Sequence, residues 1–375
     1  MKYLFILGRN VKLSTQEVFA YLERTGNSII NYSLERNALL VEVRESIEAG
    51  AIENLGGVIS IGIVIQEEKN VKSLIKELDK KEIYLGESNK LTYVVWDFSE
   101  ESCDVIREYL KQRFKSEKMK TTEKKLRERL DLQGGEKGDV VSSKTLDEQY
   151  FVFEILAKSV SFGKIIQNCD YSQIEKRDMQ KPVRREELAI SPRMSKIMIN
   201  LSKIPEGGKL LDAFCGIGVI LQEALLQDLK VIGIDRDKEA IKGARENLTW
   251  FKFDSNKYKL IDEDSSRFSI NELVDVLVSE PDLGTTLKKI PTPERAEEQL
   301  KKFEDLMVRV LNNLKNKVRG RVVFSAPLIK TVKGRKNCDI ESILERTRLK
   351  LVEGFPIDEF RENSIVGRQI FVLEK

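Results

Sequence analysis

Residues 210–235, LLDAFCGIGVILQEALLQDLKVIGID, constrain the fold of this chain more than any other stretch. They read as a short buried strand ending at Asp212, a glycine-rich turn, an apolar helix from Val219, a second buried strand and a closing acid, Asp235. Strand, turn, helix and strand in that order, with an acid ending each strand, describe a nucleoside pocket at the carboxyl edge of a parallel sheet. Gly216 and Gly218 let the backbone approach a ligand closely, because no Cβ intervenes. Asp235 is placed to accept both hydroxyls of a ribose.

The acids and glycines together select a ligand class. A dinucleotide site wants a third glycine three residues after Gly218, for close helix–strand packing and a pyrophosphate at the helix start. Leu221 stands there. Asp212 is badly placed beside a pyrophosphate and suits a cationic ligand without phosphates. The expected ligand is therefore S-adenosyl-L-methionine. Asp212, Phe214 and the turn from Gly216 to Gly218 would seat its amino-acid half, and Asp235 its ribose. A βαβ turn without a ligand would explain the glycines but not both acids. An NAD-type oxidoreductase stays as a rival, with Leu221 against it.

Composition narrows the chemistry. The chain has 375 residues and no histidine. Histidine metal sites, Ser-His-Asp or Cys-His nucleophiles and histidine general bases are thereby removed, whereas methyl transfer from a sulfonium needs none of them. The four cysteines are far apart and form no CxxC, so neither a zinc site nor a disulfide framework is expected. No apolar run approaches the roughly 20 residues of a membrane helix, and MKYLFILGRN reads as a first strand rather than a signal peptide. The expectation is a cytoplasmic monomer with no metal and no membrane partner.

Net charge is only +3, yet residues 111–130 hold nine Lys/Arg against three Glu, and 176–185 form a second basic run. Basic stripes attract a phosphate backbone, which points to nucleic acid, although a solvated helix face is the plain alternative. The length allows roughly two to three domains. Strands are expected at 3–8, 29–32, 38–43 and 58–66. Helices are expected from a Ser14–Glu17 capping box to about Arg24, and at 46–55 and 71–79. A strand at 91–98 leads to basic helices over 101–130, then to strands near Val140, at 151–156 and at 159–167. A polar connector, 170–187, leads to a helix at 192–201. Strands at 209–212, 231–234, 258–261, 274–279, 321–325 and near 369–373 then alternate with helices, which describes a doubly wound sheet. The expected domains are 1–66, 67–168, a basic linker at 169–190, and 191–375.

Three further sets of residues fall beyond strand ends in the last region, where such sheets bind ligands. Asp264 and Ser265 could meet the adenine amino group. Ser325, Ala326 and Pro327 follow Arg321–Phe324. Residues 279–284, SEPDLG, carry the sharpest chemistry. An exocyclic amine on a base is a poor nucleophile, because its lone pair is delocalised into the ring. An acceptor for its N–H bonds turns the lone pair towards a methyl group and stabilises the developing positive charge. Pro281 would hold such acceptors rigidly, since proline fixes φ. Glu280 is the expected acceptor and Asp282 a second, in a turn closed by Gly284.

With these residues in view, the chain resembles the THUMP-domain tRNA guanine-N2 methyltransferases that modify position 10 of tRNA. DAFCGIG looks like the family's cofactor turn. YLFILGRNVKLSTQEV and LGGVISIG look like the bounds of its ferredoxin-like domain, RDMQKPVRREELAISPRMSKIMINLS like its linker and following helix, and SIVGRQIFVLE like its closing strand. The resemblance implies a Rossmann-like class I methyltransferase domain preceded by an α+β ferredoxin-like and THUMP tRNA-binding region. It also implies tRNA as partner and guanine N2 as target. The family's D-P-P-Y-G turn is altered here: Glu280 replaces the aspartate, Asp282 the second proline and Leu283 the aromatic. Stacking of the target base then falls to another aromatic, Phe214 or Phe324. Adenine N6 as the target, or tRNA binding with impaired catalysis, stay as alternatives.

Overall fold

The structure, a computed structural model, describes residues 1–133, 137–141, 146–185, 190–283, 287 and 289–375. The chain divides into two compact units. One comprises Met1–Thr15, Asn27–Glu53 and Gly57–Cys169, and the other Gln16–Gly26, Asn54–Gly56 and Asp170–Lys375.

The first unit contains β1 (Lys2–Leu7), the start of α1 (Val11–Arg24), β2 (Ile29–Glu35), β3 (Ala38–Val43), β4 (Val58–Glu68), α2 (Val71–Leu78), β5 (Lys90–Phe98), α3 (Ser102–Ser116), β6 (Lys120–Glu123), β7 (Leu126–Asp131), β8 (Lys137–Val141), β9 (Glu148–Ile155) and β10 (Ser159–Asn168). Among the described residues, eight strands form one sheet in the order β2-β3-β1-β4-β10-β9-β5-β6, with β7 and β8 as a separate pair. Successive side chains of a strand point to opposite faces, and β5 shows the result. Leu91, Tyr93 and Val95 join a core with Leu74 and Leu78 of α2 and Ile106, Leu110 and Phe114 of α3. Val94, Trp96 and Phe98 join a second core with Leu4, Leu40, Phe151 and Phe153. The α+β character expected from the sequence is observed.

Three local expectations are corrected here. The basic stretch after residue 100 is one helix, α3, followed by strands β6 and β7 rather than by more helix. Between 46 and 55 only a short 3-10 turn forms, Ala51–Asn54. Helix α1 begins at Val11, and Asn10 caps it by accepting the Leu13 N–H at 3.1 Å. The Ser14–Glu17 box does not form. Ser14 lies inside the helix, and the buried Glu17 accepts from the Gly56 N–H at 2.7 Å and Asn200 Nδ2 at 2.9 Å. The box pattern misled because a glutamate three residues after a serine can serve a distant backbone group equally well.

The second unit contains α4 (Tyr171–Gln180), α5 (Pro192–Leu201), β11 (Lys209–Asp212), α6 (Val219–Leu226), β12 (Lys230–Asp235), α7 (Lys238–Trp250), β13 (Tyr258–Asp262), β14 (Val276–Ser279), α8 (Pro293–Leu314), β15 (Val322–Thr331), β16 (Gly334–Lys336), α9 (Ile340–Thr347), β17 (Lys350–Leu351), β18 (Ile357–Glu359) and β19 (Val366–Glu374). The sheet runs β13-β12-β11-β14-β15-β19-β17, with β16 paired to β15 and β18 to β19. From β13 to β15 the pairing is parallel, and β19 returns antiparallel to β15. Chain order reverses between β11 and β14, so β11 and β14 flank the switch point where ligands bind. Both are largely apolar and buried, as central strands covered on two faces must be.

Local chemistry explains the element ends. Ser191 caps α5 by accepting the Met194 N–H, with Pro192 at the first helical position. Thr292 and Pro293 do the same for α8. The region read as a connector contains a helix, α4, capped by Asp170. Strand β15 continues to Thr331, so Ser325, Ala326 and Pro327 lie within it rather than beyond it. Pro327 is tolerated because pairing with β14 stops at Phe324, which leaves that side of the strand without a ladder to break.

Candidate active site

The turn after β11 is shaped by its glycines. Gly216 and Gly218 have φ of 51° and 87°, left-handed values that a residue with a Cβ adopts only at a cost. A Cβ on Gly216 would meet no protein atom within 4 Å. Leu221 does not leave α6 loosely packed. On β12 a Cβ at Gly233 would stand 2.6 Å from Leu221 Cδ1 and 2.9 Å from Cys215 Sγ. The glycine that allows close helix–strand packing is thus on the strand, and the bulk is on the helix. Burial pushes the Cys215 thiol well above its ordinary value, so it packs rather than attacks.

Two carboxylates hold this turn. Asp235 accepts the Gly216 N–H at 2.9 Å through Oδ2 and the Asp237 N–H at 2.9 Å through Oδ1. Asp212 is buried and accepts the Phe214 N–H at 3.1 Å and the Ser279 hydroxyl, both on Oδ1. Burial pushes the Asp212 carboxyl up to about 7, against the pull of Ser279 and the Phe214 N–H, and the nearby charges that add to the rise are negative, Asp235 and Glu280. A buried acid in that surrounding favours a cationic ligand. Ser279 Oγ also accepts the N–H groups of Ala213 and Phe214 at 3.0 and 3.1 Å. The first residue of the SEPDLG turn therefore grips the turn after β11.

Across the switch point, Glu280 follows β14 with its side chain 8% exposed. Arg368 Nε on β19 donates to Glu280 Oε1, and Ser325 Oγ on β15 donates to the same oxygen at 3.3 Å. One cavity of about 530 Å³ is lined by Asp212, Phe214, Gly216, Asp235, Asp264, Ser265, Glu280, Pro281, Asp282 and Arg368, with Leu283, Leu287 and Leu306 along an apolar side. That volume suits a small-molecule site. The structure thus brings these expected site residues to one cavity. Gly218 caps α6 behind the turn, and Gly284 lies outside the described residues. Asp264 lines the cavity, but its Oδ1 already accepts the Ser266 N–H at 2.9 Å and hydroxyl at 2.7 Å, which hold its carboxyl below the usual range. Of the two aromatics considered for stacking, Phe324 is excluded. It is fully buried and stacks on Phe371 with ring centroids 5.0 Å apart. Phe214 lines the cavity.

Several functional residues were not singled out by the sequence. Arg368 and the roles of Ser279 and Ser325 depend on partners many residues away. Arg185 and Ile190, from the chain between α4 and α5, also line the cavity. Val183 exchanges hydrogen bonds with Asn247 of α7 at 2.9 and 3.1 Å, and the space above Gly243 admits its side chain. Arg185 then reaches Asp237 Oδ2 at 2.6 Å, holding the Asp237 carboxyl below the usual range while that residue caps α7. The second basic run is largely spent on such pairs. Arg177 meets the buried Glu223 at 3.1 Å, and the buried Lys181 meets Asp178 at 2.5 Å. Among the described residues, no group of three or more Cys, Asp or Glu could hold a metal, and no helix is long and apolar enough to cross a membrane.

Comparisons with known proteins agree with this geometry. Residues 204–333 match the family described as a methyltransferase domain. The chain is 33% identical over 187 residues to a tRNA (guanine(10)-N2)-dimethyltransferase of Methanothermobacter thermautotrophicus, covering 50% of this chain and 49% of that protein. It is 23% identical over 206 residues to a protein of the same name from Pyrococcus abyssi, covering 55% and 54%. The chain therefore spans about half the length of the curated relatives it matches. The crystal structure of TrmN from Thermus thermophilus superposes over 100% of both chains with a TM-score of 0.53 at 14% identity, a likeness of fold. The second unit has the Rossmann-like, doubly wound α/β fold that the sequence led one to expect, and the match to a methyltransferase domain at residues 204–333 lies within it.

Proposed function

We propose that this protein transfers a methyl group from S-adenosylmethionine to the exocyclic amine of a guanine, N2, in tRNA. The observation that carries the reading is the single cavity in which the Asp212, Gly216 and Asp235 wall faces Glu280. The donor set suits the methyl donor. Asp235 oxygens keep lone pairs for ribose hydroxyls beyond the two backbone N–H groups they accept. Asp212 is a buried acid without phosphate-binding surroundings, and Gly216 leaves open space where a Cβ would stand.

When bound, S-adenosylmethionine supplies an electrophilic methyl carbon. An acceptor nitrogen that took this methyl group would have a surplus proton to lose. Glu280 accepts from the amine, turns its lone pair out of the ring and receives that proton. Pro281 and Asp282 continue the turn that carries it, and Phe214 offers the stacking face. Because a duplex hides the amine, the target base must be unpaired or flipped out.

The first unit is assigned to RNA binding, with residues 67–168 as its THUMP-like part, 169–190 as linker and 191–375 as the methyltransferase domain. Exposed Lys115, Lys118 and Lys120 at the end of α3 and the start of β6 support a phosphate contact there. The names of the relatives support tRNA and guanine N2. A cytoplasmic monomer belongs to the same reading. Incubation with labelled S-adenosylmethionine and unmodified tRNA, followed by digestion, should yield N2-methylated guanosine. N6-methyladenosine would replace guanine as the target, and cofactor binding without label would remove catalysis.

A further inference from the structure

The function proposed above gives Glu280 an amine to accept and leaves its partner without a role. Arg368 and Glu280 line the same cavity. Arg368 stands on β19 in antiparallel register with Pro327 of β15 and Glu359 of β18. Its Nε is engaged by Glu280 Oε1, and among the described residues its two terminal nitrogens make no hydrogen bond. Its side chain is 32% exposed, against 8% for Glu280. Ser325 bonds the same glutamate oxygen from a second strand. A carboxylate with one oxygen gripped from two strands, beside a guanidinium with donors to spare, forms a fixed row of acceptor and donor at the cavity wall. Planar guanidinium groups are suited to such directional pairing.

We propose that Arg368 and Glu280 together read the Watson–Crick edge of guanine, and that Arg368 is the specificity-determining residue. This rests on the methyltransferase reading of the cavity. The guanine edge presents O6, N1–H and the N2 amine in sequence. Glu280 accepts from N1–H and N2–H, and a terminal nitrogen of Arg368 donates to O6, one of the two guanine acceptors that arginine commonly reads. Adenine presents the reverse. Its N6 amine would face the guanidinium, and its bare N1 would face the carboxylate. A site whose buried polar groups are left opposed in this way rejects the wrong substrate more strongly than any change of apolar contact does. Arg368 thus favours guanine over adenine.

The test separates this role from simple support of Glu280. Two tRNA transcripts are prepared that differ only at the methylated guanosine, which in one is replaced by 2,6-diaminopurine with its pairing partner changed to match. Diaminopurine keeps the 2-amine but carries an amine for O6 and a bare nitrogen for N1–H. The parent protein should methylate guanine with a kcat/KM about 100-fold above that for diaminopurine, in keeping with polar discrimination. In Arg368→Met that ratio should fall by about 10-fold, through loss of rate on guanine with the diaminopurine rate kept or raised, and the remainder reflects the bare nitrogen that still faces Glu280. Arg368→Lys, which retains the charge and one donor, should recover part of the ratio. S-adenosylhomocysteine affinity within about twofold of the parent, under about 0.5 kcal/mol, shows that the variants are folded. If Arg368→Met slows both transcripts equally, Arg368 only orients Glu280 and the assignment is overturned alone. If the parent methylates neither transcript, the methyltransferase reading falls and this assignment with it.

Discussion

The two turns that face each other across the switch point are built in different ways. The turn after β11 is held largely through its backbone N–H groups, by the acids that end β11 and β12 and by the more distant Ser279 hydroxyl. Asp212 bonds the N–H of Phe214, two residues on, and Asp235 bonds Gly216 and Asp237 from the end of the next strand. The turn after β14 is held by side chains from far along the chain. Ser325 lies 45 residues from Glu280, and Arg368 lies 88. Backbone donors and short acids set a shape that serves one invariant ligand. Long side chains brought in from separate strands set a shape that can be changed without disturbing the first. In the proposed reading, binding of the methyl donor and choice of the acceptor fall to separate walls.

Substitutions on the two walls should therefore fail in different ways. The largest effect is expected for Glu280→Ala. Loss of the acceptor should lower kcat on tRNA by about 100- to 1,000-fold, as removal of one preorganised transition-state partner does elsewhere, with S-adenosylhomocysteine affinity unchanged by calorimetry. Methylation at the parent rate would remove the separation between the walls. Asp235→Ala should do the opposite and weaken S-adenosylhomocysteine by about 10- to 100-fold, the worth of hydrogen bonds to a charged group. An equal loss in base selectivity would show the walls to be coupled.

Asp212→Asn should reveal itself through pH. With the folded carboxyl raised to about 7, the parent has no penalty below the ordinary carboxylate range. It loses stability as pH rises towards 7, because the unfolded chain ionises first, and above 7 the loss is complete. Asn does not titrate, so the variant should melt with the parent near pH 4 and above it at pH 8, by an amount on the order of 4 kcal/mol at most. Ligand affinity should rise with pH between 4 and 7 in the parent and be flat in the variant. Parallel melting curves across that range would mean that Asp212 is ionised in the folded chain. Phe214→Ala should raise KM for tRNA by the equivalent of about 1 kcal/mol, the lower end of what stacking on a base contributes, read from initial rates.

The same contrast explains what could be seen in the sequence. The turn after β11 was legible because its two acids end the flanking strands and its glycines sit where the backbone needs left-handed angles. The strands of the second unit were legible because buried parallel strands are continuous apolar runs. Glu280 was found from its proline turn, but Arg368 was not, since a lone arginine in VGRQIFVLE carries no local mark of the acid that it meets 88 residues away. The Ser14–Glu17 box and the helix expected at 46–55 failed for the same reason in reverse. Local patterns promised local bonds, and longer-range ones took their place. Phe324 could not be separated from Phe214 by residue type, because only the fold decides which ring faces a core and which a cavity.

Ser279 joins the two walls through one hydroxyl, giving a bond to Asp212 and taking two from the turn behind it. That hydroxyl acts as a spacer gauge between donor and acceptor. A designer who wished to graft a different substrate turn onto this domain could replace Glu280 and its successors in the chain. The graft would have to begin one residue later than the motif does, because Ser279 belongs mechanically to the half of the pocket that must stay.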